Sequence, residues 1–367
     1  MTERTPSRLR ARSSRREWLR SAALLPGVFA TPALALEGAP ALVGCCALGE
    51  GGYGVAVLTQ GLDLLRLITL PGRGHGVVVS PDRRTAVVLA RRPGRFAQVI
   101  DLTTLDTVDR FETPAGRHFY GHGLFSPDGR YLYATENDYN RPASVLGVYA
   151  AGEGYRRSDE FDTGGIGAHE AVLMQDGQTI AVANGGIETH PDFPRIKLNL
   201  AEMRPSLCYL DRADGRLLEQ RYLTPRWHQL SLRHLTQTRD GAIWIGGQFE
   251  GPGRAPLIVR HRQGQPLELV DEPGRHASPT EGFRGYIGSI ATDAAGKRVV
   301  VTAPRGNRAL TLNAQTKQAE QQHELADVCG AASGDRVVLS TGEGTVVAAG
   351  ATPRQFAWAW DNHLVRV

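Results

Sequence analysis

The stretch GHGLFSPDGRYLYATEND (residues 121–138) predicts two short β-strands joined by a tight turn. Its Pro-Asp-Gly centre favours such a turn, because Asp and Gly tolerate the positive φ angles that hairpin turns require. The same pattern recurs in five further copies, which begin at Gly74, Ala168, Arg233, Gly288 and Cys329. The chain is therefore built from an internal repeat, and the repeat decides its fold class.

The length of the repeat indicates the blades of a β-propeller. In the three most similar copies a histidine lies at positions 75, 122 and 169, so both intervals are 47 residues. Two more strand-like runs follow the first hairpin, as in residues 99–112. Four strands at this period are typical of a propeller blade, whose sheet packs against a neighbouring blade on each face.

The two ends of the chain predict a seventh blade. Residues 53–71 contain outer strands without an inner partner, and residues 354–367 contain a strand-like segment at the C-terminus. Pairing these two segments would close the ring and remove exposed sheet edges. We therefore predict an all-β, seven-bladed propeller closed by its N- and C-terminal strands. The alternative is eight blades, with an extra hairpin within residues 187–227.

The first 35 residues have the layout of an export signal. Residues 14–19 (SRREWL) resemble the twin-arginine consensus, and a short apolar run then ends in the small residues of Ala33-Leu34-Ala35. This run is too short to span a bilayer. We expect residues 1–35 to direct export to the periplasm and residues 36–367 to form one monomeric propeller domain without a transmembrane segment. A disordered basic arm is the alternative for residues 1–35.

The charge distribution argues against a nucleic-acid partner. Residues 1–35 contain seven of the 42 basic side chains and two of the 38 acidic ones, so residues 36–367 carry a net charge of −1. The basic character of the chain therefore belongs to the N-terminal segment. What remains has no general electrostatic footprint for nucleic acid.

The four cysteines do not form a recognisable metal or redox motif. Cys45, Cys46, Cys208 and Cys329 lack CxxC spacing, so neither a zinc knuckle nor a thioredoxin-like pair is indicated. An oxidising compartment would allow one disulfide, whose partners the spacing does not identify. The segment LVGCC (residues 42–46) also matches a lipoprotein processing box ending at Cys45, a minor alternative to a buried strand.

Polar residues recur at one end of successive repeats. In a propeller, the start of the first strand and the end of the second strand of each blade lie at the same rim of the channel. We therefore expect His122 to meet the cluster from Glu136 to Asp138. The candidate ligand residues at this rim are His75, His122, Glu136, Asp138, His169, Glu170, Asn184, Arg233, His234, Gln248 and Arg305.

An insertion at about residues 187–227 extends from the same rim. Its first part carries His190, Asp192 and Asn199, and prolines stiffen it. Long ordered loops are more often functional than ornamental. We expect this segment either to cover the mouth of the channel or to bind a partner.

A ring of imidazoles and carboxylates suits a transition metal such as iron or copper, because neutral histidine is a common ligand for these ions. His122, His169 and His234 are the candidates among the repeats. The chain contains no HExxH, HxH or CxxCH motif, so no local spacing supports a metal site. The alternative is that each histidine caps backbone groups where its strand begins.

Several segments of the chain resemble one bacterial family. NGGIETHP (residues 184–191) and WDNHL (residues 360–364) are the most distinctive, and the similarity covers nearly all of the chain after residue 35. They resemble the family catalogued as domain of unknown function 1513. The resemblance implies an exported, propeller-like protein, often encoded beside imelysin-type iron-regulated proteins and di-haem oxidoreductases. It also adds Asp361 and His363 to the candidate site, with His363 as a fourth metal ligand.

These observations together predict an exported accessory or binding protein in envelope iron or metal handling. Its partners would be periplasmic iron-uptake proteins, and we favour a binding role over an enzymatic one. A second hypothesis is a lactonase-like hydrolase built around Ca²⁺. Its oxygen ligands would be Glu136, Asp138, Asn184 and Asp361, with histidine as general base. A third is a scaffold for protein interactions.

Overall fold

Each repeat folds into a four-stranded antiparallel sheet, and seven such sheets form the blades of a propeller. The computed structural model describes residues 38–193, 196–272, 278–348 and 350–367. The export signal expected in residues 1–35 lies outside the described residues. The prediction of an all-β, seven-bladed propeller is confirmed.

The strands follow one another from blade to blade in chain order. Blade 1 contains β1 (Leu42–Ala47), β2 (Tyr53–Leu58) and β3 (Leu64–Leu70), and the last strand of the chain joins it. Blade 2 contains β4 (Gly74–Val79), β5 (Thr85–Ala90), β6 (Phe96–Asp101) and β7 (Asp106–Glu112). Blade 3 contains β8 (Arg117–Phe125), β9 (Tyr131–Asp138), β10 (Ala143–Ala150) and β11 (Arg156–Asp162). Blade 4 contains β12 (Ala168–Leu173), β13 (Thr179–Asn184), β14 (Ser206–Asp211) and β15 (Leu217–Tyr222).

The second half of the ring repeats this arrangement. Blade 5 contains β16 (Leu230–Gln237), β17 (Ile243–Phe249), β18 (Ile258–His261) and β19 (Glu268–Leu269). Blade 6 contains β20 (Ser289–Thr292), β21 (Arg298–Ala303), β22 (Arg308–Asn313) and β23 (Ala319–Glu324). Blade 7 contains β24 (Val328–Ala332), β25 (Val338–Thr341), β26 (Thr345–Ala348) and β27 (Arg354–Gln355), and β28 (Ala359–Arg366) completes blade 1. Short 3₁₀ turns lie at Gly49–Gly51, Ala151–Glu153, Leu200–Glu202, Pro225–Trp227 and Pro304–Gly306.

The C-terminal strand β28 closes the ring. It pairs antiparallel with β1, with Leu42 opposite Arg366 and Val43 opposite Val365. It also contacts the inner strands β24 and β4 of the two neighbouring blades. The predicted closure by the two ends of the chain is therefore confirmed, although Arg354 and Gln355 belong to the outer strand of blade 7.

The core lies between the blades, and the burial of each strand reflects its distance from the channel. Strand β5, second from the channel, is buried along nearly its whole length, as expected for a strand covered on both faces. The outer strand β7 alternates between exposed and partly buried residues. Between blades 2 and 3, for example, Leu89 packs with Phe119 and Leu132 in one apolar cluster.

The insertion expected at residues 187–227 is shorter than predicted. Residues 206–211 and 217–222 are the third and fourth strands of blade 4, and Thr179 of β13 pairs with Asp211 of β14. Only residues 185–205 lie between β13 and β14, and we call them the rim segment. The eight-bladed alternative is wrong, because this part of the chain completes blade 4 and adds no further sheet.

All four cysteines are buried and none forms a disulfide. Cys45 and Cys46 lie in β1, as the interpretation of residues 42–46 as a buried strand predicted. In the part of the chain that the structure describes, no helix has the length and apolar character needed to cross a membrane.

The ring closure predicts a stability difference between two leucines. Leu364 of β28 is 3% exposed and packs with Leu42 and Trp360, whereas Leu67 of the outer strand β3 is 36% exposed. Leu364→Ala should lower the free energy of unfolding by about 2–4 kcal/mol, because it leaves a cavity beside the closing strand. Leu67→Ala, the matched control, should change it by less than about 0.5 kcal/mol. Equal effects of the two variants in urea unfolding would contradict this account of the closure.

Candidate metal centre

Five histidines from five blades meet at the centre of the propeller. They are His75, His122, His169, His234 and His363, on β4, β8, β12, β16 and β28. The ring centroids of His122 and His363 are 4.5 Å apart, those of His75 and His363 are 4.6 Å apart, and those of His169 and His234 are 4.7 Å apart. None of the five residues is more than 9% exposed. The structure therefore brings together every histidine that the sequence analysis assigned to the repeats and to the terminal motif.

Irregularities in the inner strands accompany these histidines. In β12, Ala168 pairs with Asn184 and Glu170 with Ala183, so His169 is an extra residue without a partner on β13. Similar register shifts interrupt β4 at residues 75–76 and β8 at residues 120–122. Such β-bulges re-aim side chains and are common near functional sites. Here they coincide with the positions whose side chains meet in the channel.

One glycine allows the histidines to pack this closely. Gly121, inside the irregular part of β8, has a φ of +99°, in the left-handed region that disfavours side chains. A Cβ atom added there would lie only 2.7 Å from Cβ of His75. Glycine at 121 is therefore required both by the backbone conformation and by the neighbouring imidazole.

Asp361 orients His75 from outside the cluster. Its Oδ1 lies 2.8 Å from Nδ1 of His75, and its Oδ2 accepts a hydrogen bond of 2.7 Å from Nε of Arg73. Burial opposes ionisation of Asp361, but the contacts with His75, Arg91 and Arg73 outweigh it and lower the pKa of this carboxyl. A carboxylate only accepts hydrogen bonds, so neutral His75 donates from Nδ1 and keeps the lone pair on Nε2.

Glu170 lies beside His234 and His122, as Asp361 lies beside His75. Its Oε2 lies 3.2 Å from Nδ1 of His234 and accepts a hydrogen bond from the backbone of Leu235, while its Oε1 lies 3.8 Å from Nδ1 of His122. Burial raises the pKa of Glu170 to about 8. A nearby cation would lower that pKa again, because it favours the carboxylate form. Glu170 is therefore poised to supply negative charge when a cation is present.

The nitrogen atoms on the other side of the rings lack partners. Nε2 of His122, His169, His234 and His363 is buried in each case and makes no hydrogen bond. Donor atoms of His75, His122 and His169 lie within 4.8 Å of one another, and so do those of His122, His234 and His363. His122 is common to both trios. Carboxylates that hold one ring nitrogen while the other stays free are the usual arrangement around metal-binding histidines.

The five imidazoles are neutral at neutral pH. Burial lowers the pKa of His75, and it lowers those of His122, His169, His234 and His363 well below the ordinary value for histidine. Repulsion from Arg233 adds to this lowering of the pKa of His169, whereas the hydrogen bond with Asp361 opposes it in His75. Neutral imidazole is the form that ligates a metal, so no proton has to leave these rings before an ion binds.

A cavity of about 260 Å³ lies between the histidines and the predicted rim. We call it the arginine cavity, because Arg91, Arg92, Arg233 and Arg305 line it together with Lys197. His75 and His169 also line it, and so do Gln248 and Glu250. A second cavity of about 310 Å³ lies on the other side of the cluster, and its lining mixes apolar residues with polar ones that include Glu170 and Arg366. The arginine cavity is therefore the more cationic of the two.

The rim segment contributes to the lining of the arginine cavity. Ile187, Thr189 and Lys197 line the cavity. Asn199 joins two parts of the rim segment by hydrogen bonds. Its Oδ1 accepts one from the backbone N–H of Glu188, and its Nδ2 donates one to the carbonyl of Gly186.

Two predicted ligands of the rim segment lie outside the cluster. His190 contacts the ring of Tyr139 at 5.3 Å between centroids and accepts a hydrogen bond from the backbone of Asp192. The side chain of Asp192 itself is exposed. The structure therefore gives these two residues no part in the channel.

The expected meeting of His122 with Glu136 and Asp138 does not occur. The bulge in β8 shifts the register, so that Phe119 lies opposite Glu136 and Arg117 opposite Asp138. Glu136 is fully buried and accepts a hydrogen bond from the hydroxyl of Tyr149. These two acids therefore belong to the packing of blade 3.

Other contacts engage both acids and Asn184. Glu136 also pairs with Arg117 and Arg157, and Asp138 pairs with Arg141 at 2.8 Å. Asn184 donates from Nδ2 to the carbonyl of Thr163. None of these three side chains contributes to the cluster of histidines.

Sequence reasoning missed several residues of the arginine cavity. Tyr120, Lys197 and Glu250 line it, although none was a candidate. Tyr120 immediately precedes the GHG segment, and this proximity was the only available signal. The other two come from the rim segment and from the loop after β17, whose distance from the channel no repeat pattern indicates.

The comparison with family models now identifies the chain's relatives. Residues 68–367 match the family described as a protein of unknown function, DUF1513. The chain belongs to the DUF1513 family. This confirms the resemblance found in the sequence, and the description assigns the family no activity. No curated protein matches the chain.

Two solved structures share the fold of this DUF1513 protein. One is described as hydrazine synthase of Kuenenia stuttgartiensis, with a TM-score of 0.61 and 15% identity over 83% of this chain and 90% of that one. The other is a functionally unknown protein from Desulfotomaculum acetoxidans, with a TM-score of 0.62 and 12% identity over 89% of this chain and 99% of that one. At these identities the similarity supports the propeller architecture alone.

The buried network around Glu136 predicts an effect on stability without an effect on the channel. Glu136→Gln should lower the free energy of unfolding by roughly 2–3 kcal/mol, because it removes a fully buried charge that pairs with two partly buried arginines. Urea unfolding measures this loss. Glu153→Gln, at an exposed acid that pairs with Arg156, is the control and should have little effect. A wild-type free energy of unfolding for Glu136→Gln would contradict the assignment.

Proposed function

We propose that this protein is an exported metal-binding propeller whose channel histidines hold a transition-metal ion such as iron or copper. The observation that carries the proposal is the set of four buried Nε2 atoms without hydrogen-bond partners, on His122, His169, His234 and His363. A buried polar atom left without a partner costs about 1–3 kcal/mol. Four such atoms within one cluster of imidazoles are costly for the protein alone, and an ion bound in the cluster would offset that cost.

The donor set favours a transition metal over Ca²⁺ or Mg²⁺. Imidazole nitrogen suits iron, copper, nickel and zinc, whereas Ca²⁺ and Mg²⁺ take oxygen ligands. The carboxylates of Asp361 and Glu170 lie behind His75 and His234, where they orient the rings and balance the charge of an ion. The proposed ion would thus be held by nitrogen atoms with carboxylates in support.

Binding would draw the rings slightly together. Metal–nitrogen bonds of about 2.1 Å place two donor atoms of one ion no more than about 4.2 Å apart. The donor atoms of each trio lie within 4.8 Å of one another. Side-chain rotations that move the donor atoms by a few tenths of an ångström would close the difference, and the cavities on both sides leave room for them.

The hydrolase hypothesis receives less support. Its proposed oxygen ligands Glu136, Asp138 and Asn184 are engaged in blades 3 and 4, and Asp361 is bound to His75 and Arg73. These groups do not converge on one site for Ca²⁺. We therefore propose a binding role in metal handling, with periplasmic iron-uptake proteins as its expected partners.

Metal titration tests the proposal. Purified protein, freed of metal on a chelating resin, should bind at least one equivalent of Fe²⁺ or Cu²⁺ by calorimetry and elemental analysis. His122→Asn should weaken binding by about 100-fold or more, because His122 belongs to both trios and even residues behind the ligands contribute 10–100-fold.

A buried histidine outside the channel provides the control. His261 is bonded through both nitrogens, to Tyr209 and to the carbonyl of Gln265. His261→Asn should affect stability and leave metal affinity unchanged. Failure of the wild-type protein to take up iron, copper, zinc or nickel would overturn the proposal, as would equal losses of affinity in the two variants.

The export part of the proposal rests on residues 14–19 and needs its own test. Lysine in place of both Arg15 and Arg16 should retain the protein in the cytoplasm, because the paired arginines are the distinguishing feature of the signal. Cell fractionation followed by immunoblotting measures the distribution. Lysine in place of Arg8 and Arg10, outside the motif, is the control and should leave export unchanged. Export of the Arg15 and Arg16 variant at the wild-type level would contradict the twin-arginine route.

A further inference from the structure

The arginine cavity carries more positive charge than its own carboxylates balance. Lys197 forms an ion pair with Glu250. Arg91 lies 3.5 Å from Asp361, which it shares with Arg73. Within the described ranges, no ion pair joins Arg92, Arg233 or Arg305 to a carboxylate. Three guanidinium groups therefore face one cavity without a direct ion pair, and the nearby carboxylate of Glu250 already pairs with Lys197.

Arg233 is the most constrained of these cations. It is the extra residue of a bulge in β16, because Leu232 pairs with Gly247 and His234 with Gly246. Its side chain donates one hydrogen bond, from Nη1 to Gln248, while its Nε is buried without a partner. Burial, together with the nearby Arg92 and Arg91, lowers its pKa. The fold therefore holds a cation at a position where burial and neighbouring positive charges disfavour the charged form.

The position of Arg233 relates the cavity to the cluster of histidines. Arg233 precedes the turn residue Asp240 by seven residues, and His169 precedes Asp176 by the same number. Both are the unpaired residue of their bulge, and both line the arginine cavity. Blade 5 therefore presents a guanidinium where blade 4 presents an imidazole. The replacement adds a permanent charge and five hydrogen-bond donors to this wall.

We propose that the arginine cavity binds a small oxyanion that carries two or more negative charges. Guanidinium groups pair with carboxylate and phosphate oxygens through two parallel hydrogen bonds, and several of them on one wall select for multiple charges. The cavity has room for roughly nine water molecules at about 30 Å³ each, which suits a compact anion. Residues of the rim segment contribute to its lining. This inference goes beyond the proposed metal binding and does not depend on it.

Two further features of the cavity fit such a ligand. Arg305 lies over the ring of Tyr286, with its guanidinium carbon 4.8 Å from the ring centroid, and this cation–π contact restricts its position. Tyr120 and Ser231 add hydroxyl groups to the lining. The donors are therefore largely in place before the anion binds, which limits the entropy lost on binding.

Calorimetry on the full protein, freed of metal on a chelating resin, tests the site. Citrate and inorganic phosphate are the two probes, which separate a polycarboxylate from a phosphate ligand, and acetate is the singly charged comparison. At least one of the two probes should bind with a dissociation constant below about 1 mM, and acetate should bind far more weakly. Arg233→Gln should weaken the binding by about 10- to 100-fold, because it removes a charged donor from the cavity.

Matched variants make the outcome decisive. Arg254→Gln removes an exposed arginine that pairs with Glu281 and does not line the cavity, so it should bind the probe as the wild type does. If Arg233→Gln fails to fold, Arg305→Gln tests the same cavity and should also weaken binding. No binding of citrate or phosphate would overturn the inference, and so would an equal loss in the Arg254 variant. Binding that appears only after metal is added would also overturn it, whereas failure of the metal titration alone would leave this result standing.

Discussion

The hydrogen-bonded pairing of β28 with β1 is the contact on which the rest of the structure depends. It joins two segments that lie at opposite ends of the described chain and gives blade 1 its inner strand. The entropic cost of joining distant segments grows only with the logarithm of their separation. The apolar surface buried by Leu42, Trp360 and Leu364 helps to offset that cost. The same strand brings Asp361 and His363 to the channel, so closure of the ring also completes the cluster of histidines.

The inner strands have two tasks that conflict. A regular strand would point its side chains alternately at the two neighbouring blades, and few of them at the axis. The irregular registers of β4, β8, β12, β16 and β28 give up some ladder hydrogen bonds and aim imidazole or guanidinium groups at the channel. Each blade keeps its sheet, since pairing resumes on either side of the bulge. The loss of ladder hydrogen bonds is therefore confined to a short part of each inner strand.

Electrostatics divides the channel along its length. Near the rim, cations surround the arginine cavity, and on the other side of the histidines the lining mixes polar and apolar residues. Between them, five neutral imidazoles are backed by two acids in different states. Burial opposes the ionisation of Asp361, but its contacts with His75 and two arginines lower its pKa, whereas burial raises the pKa of Glu170 to about 8. The proposed cation would bind in the middle layer, and the proposed anion in the layer above it.

The fold could be predicted almost completely from the sequence. Turn residues recur at a nearly constant interval, and strands of this length and spacing must pack against neighbours on both faces, so the seven blades and the terminal closure followed. The rim segment was overestimated, because the strand Ser206–Asp211 lies outside the most regular part of the repeat. The repeats also identified four histidines of the channel as candidates, since these lie near the start of the first strand in their copies, whereas His363 came from the family resemblance.

The register of the inner strands was decided only by the tertiary structure. A shift of one residue turns a side chain to the opposite face of a strand, so the bulge in β8 separates His122 from Glu136 and Asp138, which sequence reasoning had grouped together. No local sequence pattern predicts that residues of the rim segment and of the loop after β17 line the arginine cavity. The sequence determined which residue types lie at the channel, because each repeat forms one blade and the blades are arranged around one axis. Which atoms meet there depends on how each strand pairs with its neighbour, and that is a property of the assembled ring.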